Sequence, residues 1–249
     1  MTVFTEITRI KTAIADAYTA CQEMGATMPA VLNSDNLEQC IASITGGGGS
    51  ATVLHLYDRV DNKATVAGFW TDGDGHRYAV CVVDAAYRSG HQTWSNVTVD
   101  TLLPNHNSST DALVAGESGT WNTDTILNNY TPTDYPAFNI ARNALTITVD
   151  NKNFVSCLPN AAELQMIYTD RTALDTYDTT LTEYPNNSLS SWNIGGNSSS
   201  YCLASVEYLY SLTWFLYSSG SWSYGEKNDY YCGIIPVIEI PVDENGEVQ

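Results

Sequence analysis

The sequence predicts an α+β protein, and three observations carry that reading. Helical periodicity fills the first 45 residues and returns in three later segments. Residues 51–85 alternate or run apolar with β-branched and aromatic side chains. From Ser188 onward Gly, Asn, Ser, Tyr and Trp take over, broken by short apolar pieces such as LTWFLY and GIIPVIEI. Helices first and loop-rich β structure last, within one compact unit, is an α+β layout. A chain of 249 residues can bury one good core, or one domain with a small appendage.

The elements follow in order. In TEITRIKTAIADAYTACQEMGA, Ile7, Ile10, Ile14, Tyr18 and Cys21 recur at helical spacing and Gly25 suits a C-cap. A second short helix is expected in NSDNLEQCIASI, where Asp35 and Glu38 have capping-box spacing and Leu37, Cys40, Ile41 and Ile44 form a stripe. Two short amphipathic helices cannot bury their faces alone, so residues 1–45 read as an attachment or oligomerisation segment. The Gly-rich stretch 46–50 is the linker, and 51–249 is the main domain. Within it ATVLHLYDRV, KATVAGFW and HRYAVCVVDA read as strands. Asp72-Gly73-Asp74-Gly75 resembles the start of a calcium loop but lacks the downstream acidic ligands, so a hairpin turn is expected. WNTDTILNNY, DYPAFNIARNAL and LPNAAELQMIYTDRTAL read as helices, the last entered through Pro159 and Asn160.

Charge and motif content exclude several function classes. The net charge is −18 with only 10 Lys and Arg, so neither nucleic acid nor an anionic membrane is an expected partner. No apolar run is long enough to cross a membrane, and MTVFTEITRIK lacks the apolar core of a signal peptide; synthesis in a cytosol is the expectation. The six cysteines, Cys21, Cys40, Cys81, Cys157, Cys202 and Cys232, form no C-x-x-C, and no histidine stands near them at ligand spacing. A Cys202–Cys232 bridge is left open. The histidines His55, His76, His91 and His106 show no shared spacing, and no phosphate, dinucleotide or nucleophile-elbow motif occurs. The chain is therefore read as a non-enzyme without cofactor or metal.

Two segments carry a family resemblance. SCLPNAAELQMIY resembles a Leu-Pro, small-polar, Glu-Leu helix start found in C-type-lectin-fold proteins related to formylglycine-generating enzymes. YCLASVEYLYSLTWFLYSSGSWSYGEKNDYYCGIIPVIEI is similar to the closing block of that family, with Ser205, Glu207, Trp214, Gly220, Lys227 and Pro236-Val237 in matching order. SGTWNTDTILNNY and DYPAFNIAR are similar to its helical region. Cys202-Leu203 stands where a Trp is common, and Ile235 where an Arg often precedes the Pro. The resemblance spans roughly Ala51 to Ile240 and implies a C-type lectin fold behind the short helical segment.

Within that family the variable proteins of diversity-generating retroelements have a rewritten C-terminal block. Template adenines are replaced there, so AAY codons become NNY codons, which cannot specify Trp, Glu, Lys, Gln or Met. Between Tyr208 and Ile234 only Trp214, Trp222, Glu226 and Lys227 fall outside the NNY set. The resemblance thus implies a variable region over about 201–235. Its ligand-binding residues would be Tyr208, Tyr210, Phe215, Tyr217, Ser221, Ser223, Tyr224, Asn228, Asp229, Tyr230, Tyr231 and Cys232. Its scaffold would be Glu207, Trp214, Gly220, Trp222, Lys227 and Pro236. Seven of the 16 tyrosines lie between Tyr201 and Tyr231, and Tyr with Ser, Gly and Asn is the mixture that antigen-binding loops use. Trp192, Trp214 and Trp222 are expected in the core.

The expected function is a display protein whose C-terminal surface binds a protein or cell-surface receptor. The N-terminal segment, similar to leading segments of phage tail-associated proteins, would assemble copies or join a tail, placing the protein on a virion or cell surface. Two alternatives remain: a calcium-dependent lectin, for which Trp121-Asn122-Thr123-Asp124 is a lookalike, and a formylglycine-generating-type enzyme using Cys202 and Cys232.

Overall fold

The computed structural model describes residues 10–19, 32–34, 36, 37, 51–192, 194, 201–229 and 232–249. Contacts divide the chain into Met1–Ala51 and Thr52–Gln249. In the first unit α1 covers residues 10–19, and residues 34, 36 and 37 belong to α2. Tyr18 is buried and its hydroxyl donates to the Asn33 carbonyl at 2.8 Å. The Asn33 side chain in turn accepts from the Asn36 N–H at 3.0 Å, a local cap for α2. Asp35, Glu38 and the linker 46–50 lie outside the described residues.

The second unit is α+β. A four-stranded sheet has the order β1 (Arg59–Val60), β2 (Ala64–Thr71), β3 (Arg77–Val83), β11 (Val237–Val242). A five-stranded sheet has the order β4 (Ser89–Gln92), β10 (Cys232–Ile234), β7 (Tyr201–Leu209), β8 (Leu212–Tyr217), β9 (Trp222–Glu226), in which only β10 and β7 run parallel. β5 (Thr146–Val149) and β6 (Lys152–Val155) form a separate hairpin. The helices are α3 (Ser109–Leu113), α4 (Gly119–Asn129), α5 (Pro136–Ala144) and α6 (Ala161–Tyr177).

Strand pleat and helix stripe sort the apolar side chains into three buried layers. One, with Ala64, Val66, Ala79, Cys81, Ile238 and Ile240, joins the four-stranded sheet to Ile147 and Val149 of the hairpin. The central layer uses the alternate residues Ala67, Val80, Val82 and Val237, the α6 stripe Leu164, Ile167 and Leu174, and one face of the five-stranded sheet. The third puts Leu203, Phe215, Cys232 and Ile234 of the other face against Ile126, Phe138 and Ala141 of α4 and α5. Both faces of the five-stranded sheet are therefore covered, which explains why β7 and β8 read as near-continuous apolar runs.

Local sequence accounts for the helix starts. Ser118 accepts from the Trp121 N–H and caps α4, which begins at Gly119, two residues ahead of the Trp121 start expected from the pattern alone. Asn160 and Glu163 form a reciprocal capping box at α6, after the Pro159 entry read from the sequence. Asp72–Gly75 turns the β2–β3 hairpin. The run expected as a first strand is different. Only Arg59–Val60 pairs as a strand, because His55–Asp58 closes a turn and Tyr57 sits at φ 68°, a left-handed conformation that ends extended structure. Tyr57 stacks instead on Tyr177, centroids 5.2 Å apart.

Candidate functional site

The C-terminal block forms β7, β8 and β9, and its geometry rests on a buried charge. Lys227, at the end of β9, is fully buried and ion-paired with the fully buried Glu207 of β7. The same ammonium donates to the Tyr210 carbonyl at 2.7 Å and the Val99 carbonyl at 3.1 Å, and stands 4.6 Å from the centre of the Trp94 ring. Glu207 also accepts from Thr101 Oγ1 at 2.7 Å, while its Oε2 is buried without a donor. Burial pushes the Lys227 pKa down and the Glu207 pKa up, and the mutual attraction opposes both shifts. Backbone bonds from Lys227 N–H to Ser211 and from Ser95 N–H to Lys227 complete the clasp between the β7–β8 turn, the end of β9 and the loop at 95–101. Three backbone segments thus converge on one side chain.

The other scaffold residues occupy supporting positions. Trp214 is buried and its indole donates to the His106 carbonyl at 2.9 Å. Half-buried Trp222 donates to Gln165 Oε1 of α6 at 2.8 Å, and Trp192 is buried with a bond to the Leu216 carbonyl. Gly220 has φ +83° in the β8–β9 turn, and a Cβ there would lie 2.9 Å from the Tyr168 ring, so both conformation and space favour glycine. Pro236 is buried just before β11.

The residues expected to bind ligand do not share one face. Cross-strand register and ring contacts place Tyr208, Trp214, Trp222 and Tyr224 together on one face of β7–β9. Tyr208 and Tyr224 stack with centroids 4.0 Å apart and planes 8° apart. Tyr210, 61% exposed, sits in the β7–β8 turn, with Asn228 and Asp229 exposed just after Lys227. Tyr217 and Ser223 lie on the opposite face, where Tyr217 packs on Tyr201 and Phe215, and Ser221 is exposed in the turn at the far end. Two expectations need correction. Phe215 and Cys232 are fully buried, because the face of the sheet they share is covered by Ile126, Phe138 and Ala141 of α4 and α5. Neither can touch a ligand in this fold. Tyr230 and Tyr231 lie outside the described residues. The surviving surface is the Tyr208–Tyr224 stack with Tyr210, Asn228 and Asp229.

The motifs tied to the alternatives have structural occupations. Asn122 is buried and donates to Ser205 Oγ at 3.0 Å, Thr123 accepts from the Leu158 N–H, and Asp124 is ion-paired with Arg142. Asp72 is occupied within its own hairpin, accepting from the Asp74 and His76 N–H groups. Among the described residues no group of three or more His, Cys, Asp or Glu is placed to hold a metal ion. Cys202 and Cys232 are free, buried in different layers on opposite faces of β7 and β10, so a bridge between them is excluded here. Burial pushes both thiols well above their usual range, the reverse of what a reactive pair needs.

Sequence reasoning gave no sign of a second buried charge site. Glu163 of the α6 capping box faces Glu239 of β11, whose carboxylate accepts from the Thr120 N–H at 3.2 Å. Burial first, and then Glu239, push the Glu163 pKa well above the ordinary carboxylate value, which favours its protonated form. The folded state then binds a proton that the unfolded chain releases near about pH 4.3. Stability from this pair is full below that pH and is lost as pH rises through the raised folded value. Glu163→Gln, which keeps the shape and donates permanently, is expected to flatten the alkaline decline in denaturant midpoint; an unchanged slope would show that the proton lies elsewhere.

No helix among the described residues is long and apolar enough to cross a membrane. In comparisons with known proteins, the chain matches no family model, no curated protein and no solved structure.

Proposed function

We propose that the protein is a ligand-binding display protein of C-type-lectin type, whose tyrosine-rich surface on β7–β9 engages a protein or cell-surface receptor. The observation that carries the reading is the solvent-facing Tyr208–Tyr224 stack beside Tyr210, mounted on a sheet clamped by a buried ion pair. Tyrosine gives large amphipathic contact area with few rotamers to freeze, and a rigid mount lowers the cost of ordering it on binding.

The coding pattern supports diversification by a retroelement. Of the four residues in the block that NNY codons cannot specify, Lys227 and Trp214 are buried, and Trp222 is anchored on Gln165. Tyr208, Tyr210, Tyr224, Asn228 and Asp229 are NNY-compatible and reach solvent. Receptor binding on a phage tail, with residues 1–45 as the attachment segment, is the setting we favour for such a surface.

The test is genetic. The DNA neighbouring the coding sequence is expected to hold a near-copy of the 201–235 block differing at adenines, beside a reverse transcriptase. Differences should fall at the codons for Tyr208, Tyr210, Tyr224, Asn228 and Asp229 and spare those for Phe215 and Cys232. Absence of the near-copy would remove diversification and leave the binding surface to be judged by mutation.

A further inference from the structure

A cavity of about 460 Å³ opens beside the first turn of α4 on the Thr52–Gln249 unit. Trp121 of α4, Phe154 and Val155 of β6, and Pro241 of β11 give it apolar walls, and Glu239 of β11 borders it from the sheet. None of its lining residues belongs to the Tyr208–Tyr224 surface. We propose that this cavity binds a primary amine carried on an aromatic or apolar body, with Glu239 as counter-ion of the ammonium and Trp121 as the wall against which the body packs.

Glu239 is the first observation. Strand alternation sends Ile238 and Ile240 into the layer shared with the β5–β6 hairpin and turns Glu239 and Pro241 to the opposite face. Glu239 is only 6% exposed there, and its two oxygens share one backbone N–H, that of Thr120, at 3.2 and 3.3 Å. Its neighbour Glu163 is fully buried, with Oε2 accepting from the Asn160 N–H at 2.7 Å and Oε1 left without a partner. Burial, and then Glu239, favour the protonated form of Glu163, so the pair carries its charge at Glu239, the member that borders the cavity. Arg142, the cation among the lining residues, pairs with Asp124 instead. A carboxylate withdrawn from water onto one shared N–H is poorly compensated. An ammonium brings the opposite charge and three N–H donors to it.

Trp121 is the second observation. It stands between buried Gly119 and buried Asn122 in the first turn of α4, yet it is 46% exposed. Among the described residues its ring stacks on no other ring and its indole N–H donates to no acceptor. An open indole beside a carboxylate suits a cation on an aromatic or apolar body, because the ring gives contact area and its negative face attracts the charge.

The same residues narrow the ligand class. A helix start normally draws an anion, but the N–H groups of α4 are occupied: Gly119 by Glu163, Thr120 by Glu239 and Trp121 by Ser118. The protein's own carboxylates already stand where an anionic ligand would. A metal ion would need a shell of oxygen ligands, and among the described residues no group of three or more His, Cys, Asp or Glu provides one. A quaternary ammonium could use the charge and the ring, but it has no N–H to offer the Glu239 oxygens.

The experiment is calorimetry and ligand-observed NMR on the full chain with phenethylamine, tryptamine and hexylamine, beside phenylacetate and benzyltrimethylammonium. At least one of the three amines is expected to bind, phenylacetate is not, and benzyltrimethylammonium should bind at least about fivefold more weakly than the best amine. Glu239→Gln, which keeps an oxygen for the Thr120 N–H, should weaken amine binding at least about tenfold. Trp121→Ala should weaken it at least about fivefold, while Tyr210→Ala leaves it within about twofold. If Glu239→Gln melts early, Trp121→Ala leaves both carboxylates in place and decides alone. Failure of all three amines, phenylacetate binding as well as they do, benzyltrimethylammonium matching the best amine, or binding untouched by the Glu239 or Trp121 variant would each overturn the proposal. The receptor surface could fail its own test without altering any of these outcomes.

Discussion

Lys227→Met is expected to destabilise the Thr52–Gln249 unit by about 3–5 kcal/mol, because it leaves Glu207 as an uncompensated charge in the core. At roughly 2–4 °C per kcal/mol for a domain of this size, the melting temperature should fall on the order of 10 °C. The loss is greater than that of one contact. The ammonium also satisfies the Tyr210 and Val99 carbonyls, so two carbonyls lose this donor along with the carboxylate, which keeps only Thr101. Replacing both partners, Lys227→Met with Glu207→Leu, should recover most of the loss, since it removes the buried charges rather than orphaning one. Thermal and urea melts of the two variants check this. A single variant as stable as the parent would mean that water reaches the site, and the clamp would lose its role.

Tyr210→Ala with Tyr224→Ala is expected to weaken receptor binding at least about 30-fold, the effect of losing a hot spot worth about 2 kcal/mol. Tyr210 is mostly exposed and Tyr224 half-exposed, so the cost in stability is confined to the lost ring contacts of Tyr224, about 0.5–1.5 kcal/mol, and the melting temperature should fall by only a few degrees. Tyr217→Ala with Ser221→Ala is the matched control. Those residues lie on the opposite face and in the far turn, and binding should stay within about twofold. The readout is titration of fluorescently labelled full chain on the cells or receptor preparation that the parent protein labels. Binding lost through Tyr217 and retained without Tyr224 would move the site to the other side of the sheet and defeat the assignment.

Much of the fold was legible because local signals and tertiary structure agree. The Asp72–Gly75 turn, the α6 capping residues and the helices around Ile126 and Phe138 are written in short-range spacing. The expected first strand failed where a left-handed Tyr57 overrides a β-rich composition. In the candidate site, composition pointed to the right strands but could not tell which side each tyrosine takes. Trp214, Phe215, Leu216 and Tyr217 all look alike as apolar letters, and only the pairing of β8 with β7 and β9 assigns them to faces. The Glu163–Glu239 and Lys227–Glu207 pairs were illegible as pairs. Their partners are 76 and 20 residues apart, and nothing in a charged residue's immediate neighbours says it is buried. Lys227 could be marked as frame only through the family resemblance.

Packing on both faces of β8 and β9 would also limit how much information a surface diversified as proposed can store. A mutational process that reads codons in a line treats Phe215 and Tyr224 as equivalent letters, but the sheet spends one on packing and exposes the other. Each round of rewriting across the whole block would therefore gamble folding together with recognition. Under the proposed diversification, the usable repertoire would be set by the exposed positions alone, and it would shrink exponentially with every letter that packing claims. Lineages that confine their variable letters to the outward register would sample far more functional receptors per generation than their block length suggests.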